Sequence, residues 1–305
     1  MNYGEKVTDF ADEYSPSMHT KRFQDYESPN KEVLKHFVKI SQQATTLARE
    51  LYKTRLNVRY GGKSDNQLLD IYYKDKEEGL PIFVYIHGGF WQELDKTTSG
   101  PIVHTLIEHY RIILVDYDVC PRVTLLQLTQ QISNFFKWLS VYAKETGAPK
   151  ISICGHSAGA HLALQMFQSE FLQAEQRLNA IDNVFLISGL YDLQQLWSFE
   201  TCNPNNLLSL NPNLAIQLSP QCCNYNNKLI GQYKAQEVKI HIITGEHDSE
   251  AFKRQSQNYA YKLTKLNMDV NYRMFRSYDH FDIIEECSQR NSAISRYIRK
   301  ELGIY

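Results

Sequence analysis

The sequence predicts an α/β protein: a mostly parallel central sheet with helices on both faces and a short cap insertion. Short, near-continuous apolar runs alternate with amphipathic stretches of helical period, the pattern of β-α units whose strands are buried on both faces. One such run, Ile151-Ser152-Ile153-Cys154, passes directly into Gly155-His156-Ser157-Ala158-Gly159 and then into a helix-compatible segment. Between Asp192 and Val238 a single stretch rich in Asn, Pro, Gln and Leu breaks the alternation.

Taken in order, residues 1–28 are polar and aromatic without clear periodicity, a segment expected to drape over the core. Ser28-Pro29-Asn30 offers a helix start, with a capping residue and a proline tolerated in the first turn. Val33, Phe37, Ile40, Ala44, Leu47 and Leu51 then recur at spacings of three and four, one apolar helical stripe. Residues 56–60 and 68–73 read as two strands joined through Gly61-Gly62, an antiparallel entry to the sheet. Residues 82–86 and 112–115 are buried-type strands, and a long helix through Leu125, Leu128, Ile132, Phe135 and Leu139 ends near Gly147. Further strands are expected at 184–187, 238–243 and 270–275. The insertion, residues 193–237, reads as a cap or lid within one domain spanning residues 1–305.

At 305 residues, 43% hydrophobic and 22% charged, the chain has the composition of a globular protein able to bury one large core. A net charge of −1 with mixed signs gives no electrostatic case for nucleic acid or an anionic membrane. No apolar run reaches the length of a membrane span. The polar start, Met1-Asn2-Tyr3-Gly4-Glu5-Lys6, lacks the apolar region of a signal peptide, and neither end carries a lipidation signal. Six cysteines in a chain of this length are not a disulfide framework. Cys154 reads as a core residue and Cys222-Cys223 as two loop thiols. With no Asn-x-Ser/Thr sequon, a cytoplasmic setting is expected.

A strand, Gly-x-Ser-x-Gly and a helix in succession form a nucleophile elbow, with Ser157 as the nucleophile. Gly155 and Gly159 supply backbone clearance, and the helix start aims free N–H groups at the reacting centre. A serine needs a base to take its proton, and in elbow hydrolases the chain order is serine, acid, histidine. Of ten histidines, that order leaves His241, His247 and His280. His241 lies inside a predicted strand. His280, in Tyr278-Asp279-His280-Phe281 beyond the last strand, is the preferred base, with His247 second. For the acid, Asp248 follows the 238–243 strand, where active-site loops of open sheets gather. Asp192 is the runner-up, with helix capping as its other role. Asp279 and Asp282 stand too near His280 in sequence to orient its ring.

Tyr85-Ile86-His87-Gly88-Gly89-Phe90-Trp91 leaves a strand through two glycines. The N–H groups of Gly88 and Gly89, with that of Ala158, can face a tetrahedral oxyanion, each donor worth about 3 kcal/mol in the transition state. Lipases of the hormone-sensitive type have a third glycine where this chain has Phe90. His87 is expected to brace the loop, and His161 to support the elbow from behind. The chain has no G-x-x-x-x-G-K-[S/T], G-x-G-x-x-G or H-E-x-x-H, so no cofactor and no metal are expected.

With these residues in place, the chain resembles the kynurenine formamidases (arylformamidases) of the α/β-hydrolase fold, most nearly the insect-type members. The resemblance rests on His87-Gly88-Gly89-Phe90-Trp91, on Gly155 through Leu162, and on Asp248 with Phe252-Lys253-Arg254-Gln255-Ser256. Asp279-His280-Phe281-Asp282-Ile283-Ile284-Glu285 and Glu13-Tyr14-Ser15-Pro16-Ser17 extend it across almost the whole chain. It implies hydrolysis of N-formyl-L-kynurenine to L-kynurenine and formate, with Ser157 as nucleophile, Asp248 as acid and His280 as base. A formyl group needs almost no acyl pocket, so Phe90 and Trp91 beside the oxyanion loop would exclude long acyl chains. Phe90, Trp91, Tyr117, Tyr191 and Trp197 are candidates to stack on the kynurenine ring, and residues 203–213 to meet its amino-acid end. The expected partner is this small molecule, with no nucleic acid and no membrane; a homodimer is compatible with the sequence. A short-chain carboxylesterase would use the same residues, and a non-catalytic relative would share the fold.

Overall fold

In a computed structural model that describes residues 12–62, 66–167, 180–225 and 227–304, eight strands form one sheet. They are β1 (Lys53–Arg59), β2 (Leu68–Tyr73), β3 (Ile82–Ile86), β4 (Arg111–Val115), β5 (Ile151–His156), β6 (Ile181–Ile187), β7 (Lys239–Gly245) and β8 (Asp269–Phe275). Their spatial order is β1-β2-β4-β3-β5-β6-β7-β8. β2 runs antiparallel to β1 and β4, and all other pairings are parallel.

Alternate residues of each central strand enter different apolar layers. Ile82, Val84 and Ile86 join Ile113, Ile153 and Leu186 on one face. Phe83 and Tyr85 join Ile112, Leu114 and Phe185 on the other. A strand with period two and both faces covered must be apolar throughout, which is why these runs read as continuous. The main covering helices are α1 (Pro29–Leu51), α2 (Leu125–Glu145), α3 (Ala158–Ala163), α4 (Glu250–Lys265) and α5 (Ala293–Glu301). α2, α3 and α4 pack on the first face, α1 and α5 on the second. Thr124 and Gln127 close a reciprocal capping box at the start of α2, and Gly147 takes φ 61° just beyond its end.

The α1 stripe differs from expectation. The helix buries Val33, Phe37, Ser41, Ala44, Thr45 and Ala48, and leaves Leu47 and Leu51 exposed. Small residues face inward because a loop backbone comes to rest against them. Gly100 N–H donates to Thr45 Oγ1 at 2.8 Å, and a Cβ on Gly100 would stand 2.2 Å from the Thr45 nitrogen. β1 begins at Lys53, earlier than its apolar pattern suggests, because an edge strand with mostly exposed side chains needs no such pattern. Between β3 and β4 lie short helical turns at 96–98, 100–102 and 103–106 that periodicity did not signal.

Described residues of the insertion form short turns and two helices, Pro212–Gln217 and Asn227–Ala235. They bury Leu196, Leu208, Leu210 and Leu218 in the first core. Of the N-terminal segment, residues 1–11 lie outside the described residues. Residues 12–28 form 3-10 turns at Asp12–Tyr14 and Pro16–His19 and bury Tyr14. From β3 the chain winds outward to β4, then returns to place β5 on the opposite side of β3. The carboxyl ends of β3 and β5 therefore flank the crevice where open α/β sheets bind ligands.

Candidate active site

Ser157 sits in that crevice with φ 55° and ψ −122°, a backbone state that surrounding contacts must impose. Its N–H donates to Ile187 O at 2.8 Å, and its carbonyl accepts from Ala160 N–H at 3.0 Å. The flanking glycines answer a steric demand. A Cβ on Gly159 would stand 2.0 Å from Ile86 O, and one on Gly155 2.3 Å from Gly159 O. The turn can form only where α3 packs bare backbone against β3.

The loops after β7 and β8 bring Asp248 and His280 together. His280 Nδ1–H donates to Asp248 Oδ1 at 2.8 Å. Asp248 Oδ2 accepts from Ser188 Oγ at 2.5 Å and from Gly245 N–H at 2.8 Å. Both side chains are buried. With Nδ1 committed as donor, His280 Nε2 is left as the basic nitrogen, and His280 and Ser157 line one cavity of about 330 Å³. The ring is wedged by Phe252, edge-on at 4.9 Å, and by His156 at 4.7 Å. His156 Nε2–H donates to His280 O at 2.9 Å. Burial first, then the nearby His280, press the His156 pKa well below its ordinary value, so this ring stays neutral beside His280.

The other candidates fall elsewhere. His241 is locked inside the sheet between Asn183 Oδ1 and Tyr297 Oη, 2.9 Å from each. His247 is half-buried, and its ring does not line the cavity. Asp192 stabilises a turn by accepting from Gln194 N–H at 2.9 Å. Asp279 and Asp282 pair with Arg22.

Gly88 lies against Ser157: a Cβ there would be 3.0 Å from Ser157 Cβ. Among the described residues the N–H groups of Gly88, Gly89 and Ala158 donate to no other group. His87 Nδ1–H donates to Gly88 O at 2.9 Å, and Tyr117 Oη–H donates to His87 O at 2.8 Å. Gly89, Phe90 and Trp91 all take positive φ, at 101°, 49° and 62°. Phe90 thus adopts the left-handed conformation a third glycine would have entered freely, at a cost of roughly 1–2 kcal/mol.

Of the five aromatic residues expected at the substrate, Phe90 alone lines the cavity. Trp91 is fully buried, with Nε1–H donating to His161 Nδ1 at 3.2 Å. Tyr117 stacks on the His87 ring at 4.3 Å, and Tyr191 on Tyr259 at 4.5 Å. Trp197, within the insertion, packs half-buried against the core, outside the cavity. Each satisfies its apolar ring by burial, which sequence cannot tell from a ring reserved for a ligand. Of residues 203–213, only Pro204 reaches the cavity. The Asn203 amide is engaged by Trp197 O, Asn206 Oδ1 and Leu208 N–H.

His161 behaves as a neutral bracket. Its Nε2–H donates to Leu218 O at 2.8 Å, so Nδ1 accepts from Trp91, and burial lowers its pKa to about 4. It ties α3, the Gly88-to-Trp91 loop and the insertion together. Several contributors escaped sequence reasoning: Ser188 on Asp248, His156 behind His280, and Tyr14, Ser15 and Phe37 on the cavity wall. Only Tyr14 and Ser15 had a signal, in the Glu13-to-Ser17 motif. Among the described residues no group of three or more His, Cys, Asp or Glu is placed to hold a metal ion.

This fold and this crevice define an α/β hydrolase, and a family model described as the alpha/beta hydrolase fold matches residues 83–281. The chain is 37% identical to the kynurenine formamidase of Drosophila melanogaster, over 97% of this chain and 98% of that one. It is 28% identical to the Danio rerio kynurenine formamidase, over 95% and 94%. Among solved structures, esterase B from Lactobacillus superposes with a TM-score of 0.67 at 17% identity, covering 89% of this chain and 92% of that one. Carboxyl esterase 2 from Tuber melanosporum gives 0.65 at 17%, covering 84% and 87%; at such identity these show the fold alone. The chain belongs to the kynurenine formamidase family.

Proposed function

We propose that the protein hydrolyses N-formyl-L-kynurenine to L-kynurenine and formate, a step of tryptophan breakdown, through a formyl-enzyme on Ser157. The supporting observation is His280, paired with Asp248, lining one cavity with Ser157, beside backbone donors that serve no other group among the described residues. Ser157 Oγ attacks the formyl carbon as His280 Nε2 takes its proton, and the N–H groups of Gly88, Gly89 and Ala158 receive the oxyanion. His280 then gives the proton to the departing aniline nitrogen, releasing L-kynurenine. Water attacks the formyl ester by the same route and frees formate. Asp248 holds the imidazole tautomer and offsets its transient charge.

A cavity of about 330 Å³ suits one aromatic amino acid, and Phe90 narrows its acyl side. Residues 193–237 act as the cap of a single domain, supported by Thr201, Cys202 and Pro204 on the cavity wall. All six cysteines are free thiols, and no helix among the described residues is long and apolar enough to cross a membrane. The first supports placing the chain in the reducing cytoplasm.

The test is turnover of N-formyl-L-kynurenine by the purified protein, with Ser157→Ala and butyrate-to-octanoate esters alongside. Kynurenine release should exceed ester turnover and fall on the order of 10⁶-fold in the alanine variant. Comparable turnover of the esters would point instead to a carboxylesterase.

A further inference from the structure

The loop bearing His280 is held by a residue from the opposite end of the chain. Arg22 forks two carboxylates at once. Its Nε–H and Nη2–H donate to Asp279 at 2.9 and 3.2 Å, and its Nη1–H and Nη2–H to Glu285 at 2.7 and 3.2 Å. Asp279 immediately precedes His280, and Glu285 lies in the short helix that follows. Thr20 Oγ–H adds a third bond to Asp279, at 2.6 Å.

Asp279 passes this anchorage on to the main chain around the histidine. Its Oδ1 accepts from Phe281 N–H at 2.8 Å and from Asp282 N–H at 2.9 Å, while its own N–H donates to Asp282 Oδ1 at 2.7 Å. The carboxylate is therefore the pivot of the turn that carries His280, and it is 1% exposed. Burial drives its pKa up, but the Arg22 hydrogen bonds and charge outweigh burial and hold it below the ordinary value. Asp282 lies 3.6 Å from Arg22 Nε, and His36 Nε2 lies 3.6 Å from Glu285. Arg22 is thus the permanent cation among three clustered carboxylates. Without it, two buried carboxylates lose their charge-assisted bonds and repel Asp282 within the turn.

The same segment grips the acid's loop at its other end. Glu13 O accepts from Ser249 Oγ, next to Asp248, and Glu13 Oε2 accepts from Ala251 N–H at 3.0 Å in the first turn of α4. Between these grips, Tyr14 to Ser17 line the cavity.

We infer that residues 13–22 form a strap fixing the loops of Asp248 and His280 relative to each other, with Arg22 as a positioning residue for His280. The inference rests on His280 being the base. A misplacement of about 1 Å can lower a rate about 10²-fold, whereas substrate binding, which Arg22 does not touch, should change little. Lysine supplies the charge without the planar fork that serves two carboxylates.

The experiment measures kcat, KM and Tm for Arg22→Ala, Arg22→Lys and Thr20→Val, each alone and combined with His280→Ala. In Arg22→Ala, kcat should fall about 10–100-fold with KM within about threefold. Arg22→Lys should recover part of that loss, and Thr20→Val should show a milder one. In the His280→Ala background, removing Arg22 should lower the residual rate no further, because its route to the reaction is already gone. Equal fractional losses with and without His280 would overturn the inference, as would a folded Arg22→Ala with unchanged kcat. If Arg22→Ala does not fold, Arg22→Lys and Thr20→Val decide by the same criteria. Full activity in His280→Ala alone would instead overturn the base assignment, and the strap's role with it.

Discussion

The two halves of the crevice are built by different means. Around Ser157 and the Gly88-Gly89 loop, the ends of β3 and β5 meet through bare backbone. Gly159 lies against Ile86 O, Gly88 against Ser157, and the donors are main-chain N–H groups. Around Asp248 and His280, the ends of β7 and β8 meet through charge: a carboxylate held by Ser188 and Gly245, a second held by Arg22, and a neutral histidine behind. The first half resists deformation because its parts cannot move without overlap. The second depends on side chains that can be exchanged singly. Apart from Ser157 itself, substitutions should therefore strike mainly stability in the first half and mainly rate in the second.

The sharpest way to break that contrast lies at Asp248. In Asp248→Asn the amide can donate to His280 Nδ1 and favour the tautomer that carries hydrogen on Nε2, leaving Ser157 without a base. We expect kcat to fall roughly 10⁴-fold with Tm little changed. Steady-state kinetics beside a melting curve checks both, and a loss below tenfold would remove Asp248 from its assigned role. Next is Gly159→Ala, whose methyl would meet Ile86 O at 2.0 Å. The expected destabilisation is about 3 kcal/mol, read as a drop in Tm or in the denaturant midpoint. An unchanged midpoint would show that this half yields as readily as the other.

The smallest effect belongs to Asp282, whose carboxyl is raised to about 7, by burial first and then by the charge of Asp279. The folded protein holds this proton more tightly than the unfolded chain, so stability from this group falls as pH climbs from about 4 through about 7. Asp282→Asn keeps an oxygen to accept from Asp279 N–H and removes the titration. Its Tm should gain on the parent progressively between about pH 4 and about pH 7. A constant difference across that range would show that Asp282 does not titrate there.

The same division explains what could be read from the chain before its fold was known. Ser157, Gly155, Gly159, Gly88 and Gly89 lie in two short motifs, each a local sterically determined turn, so spacing alone exposed them. The sheet was legible because strands covered on both faces are apolar without interruption. His280 and Asp248 needed one further rule, the order of residues along elbow hydrolases. Arg22 and Ser188 had no signal, since their partners lie far away in sequence and no local pattern marks such a contact. Four of the five aromatic candidates lie away from the cavity for a different reason. Trp91, Tyr117 and Tyr191 are as apolar as ligand-facing rings, and only packing decides which way a ring turns. The α1 stripe misled at Leu47 and Leu51 because that helix meets a loop backbone, where Ala and Thr fit and Leu does not.

The bond from Arg22 to Asp279 spans 257 positions, and that span has a consequence during synthesis. A ribosome adding about 5–20 residues per second exposes Arg22 tens of seconds before its partner is made. Through that interval the nascent chain can complete the turn at Ser157, the Gly88-Gly89 loop and most of the sheet, yet the histidine loop and its anchor cannot meet. The histidine loop thus stays unanchored until Asp279 has been made.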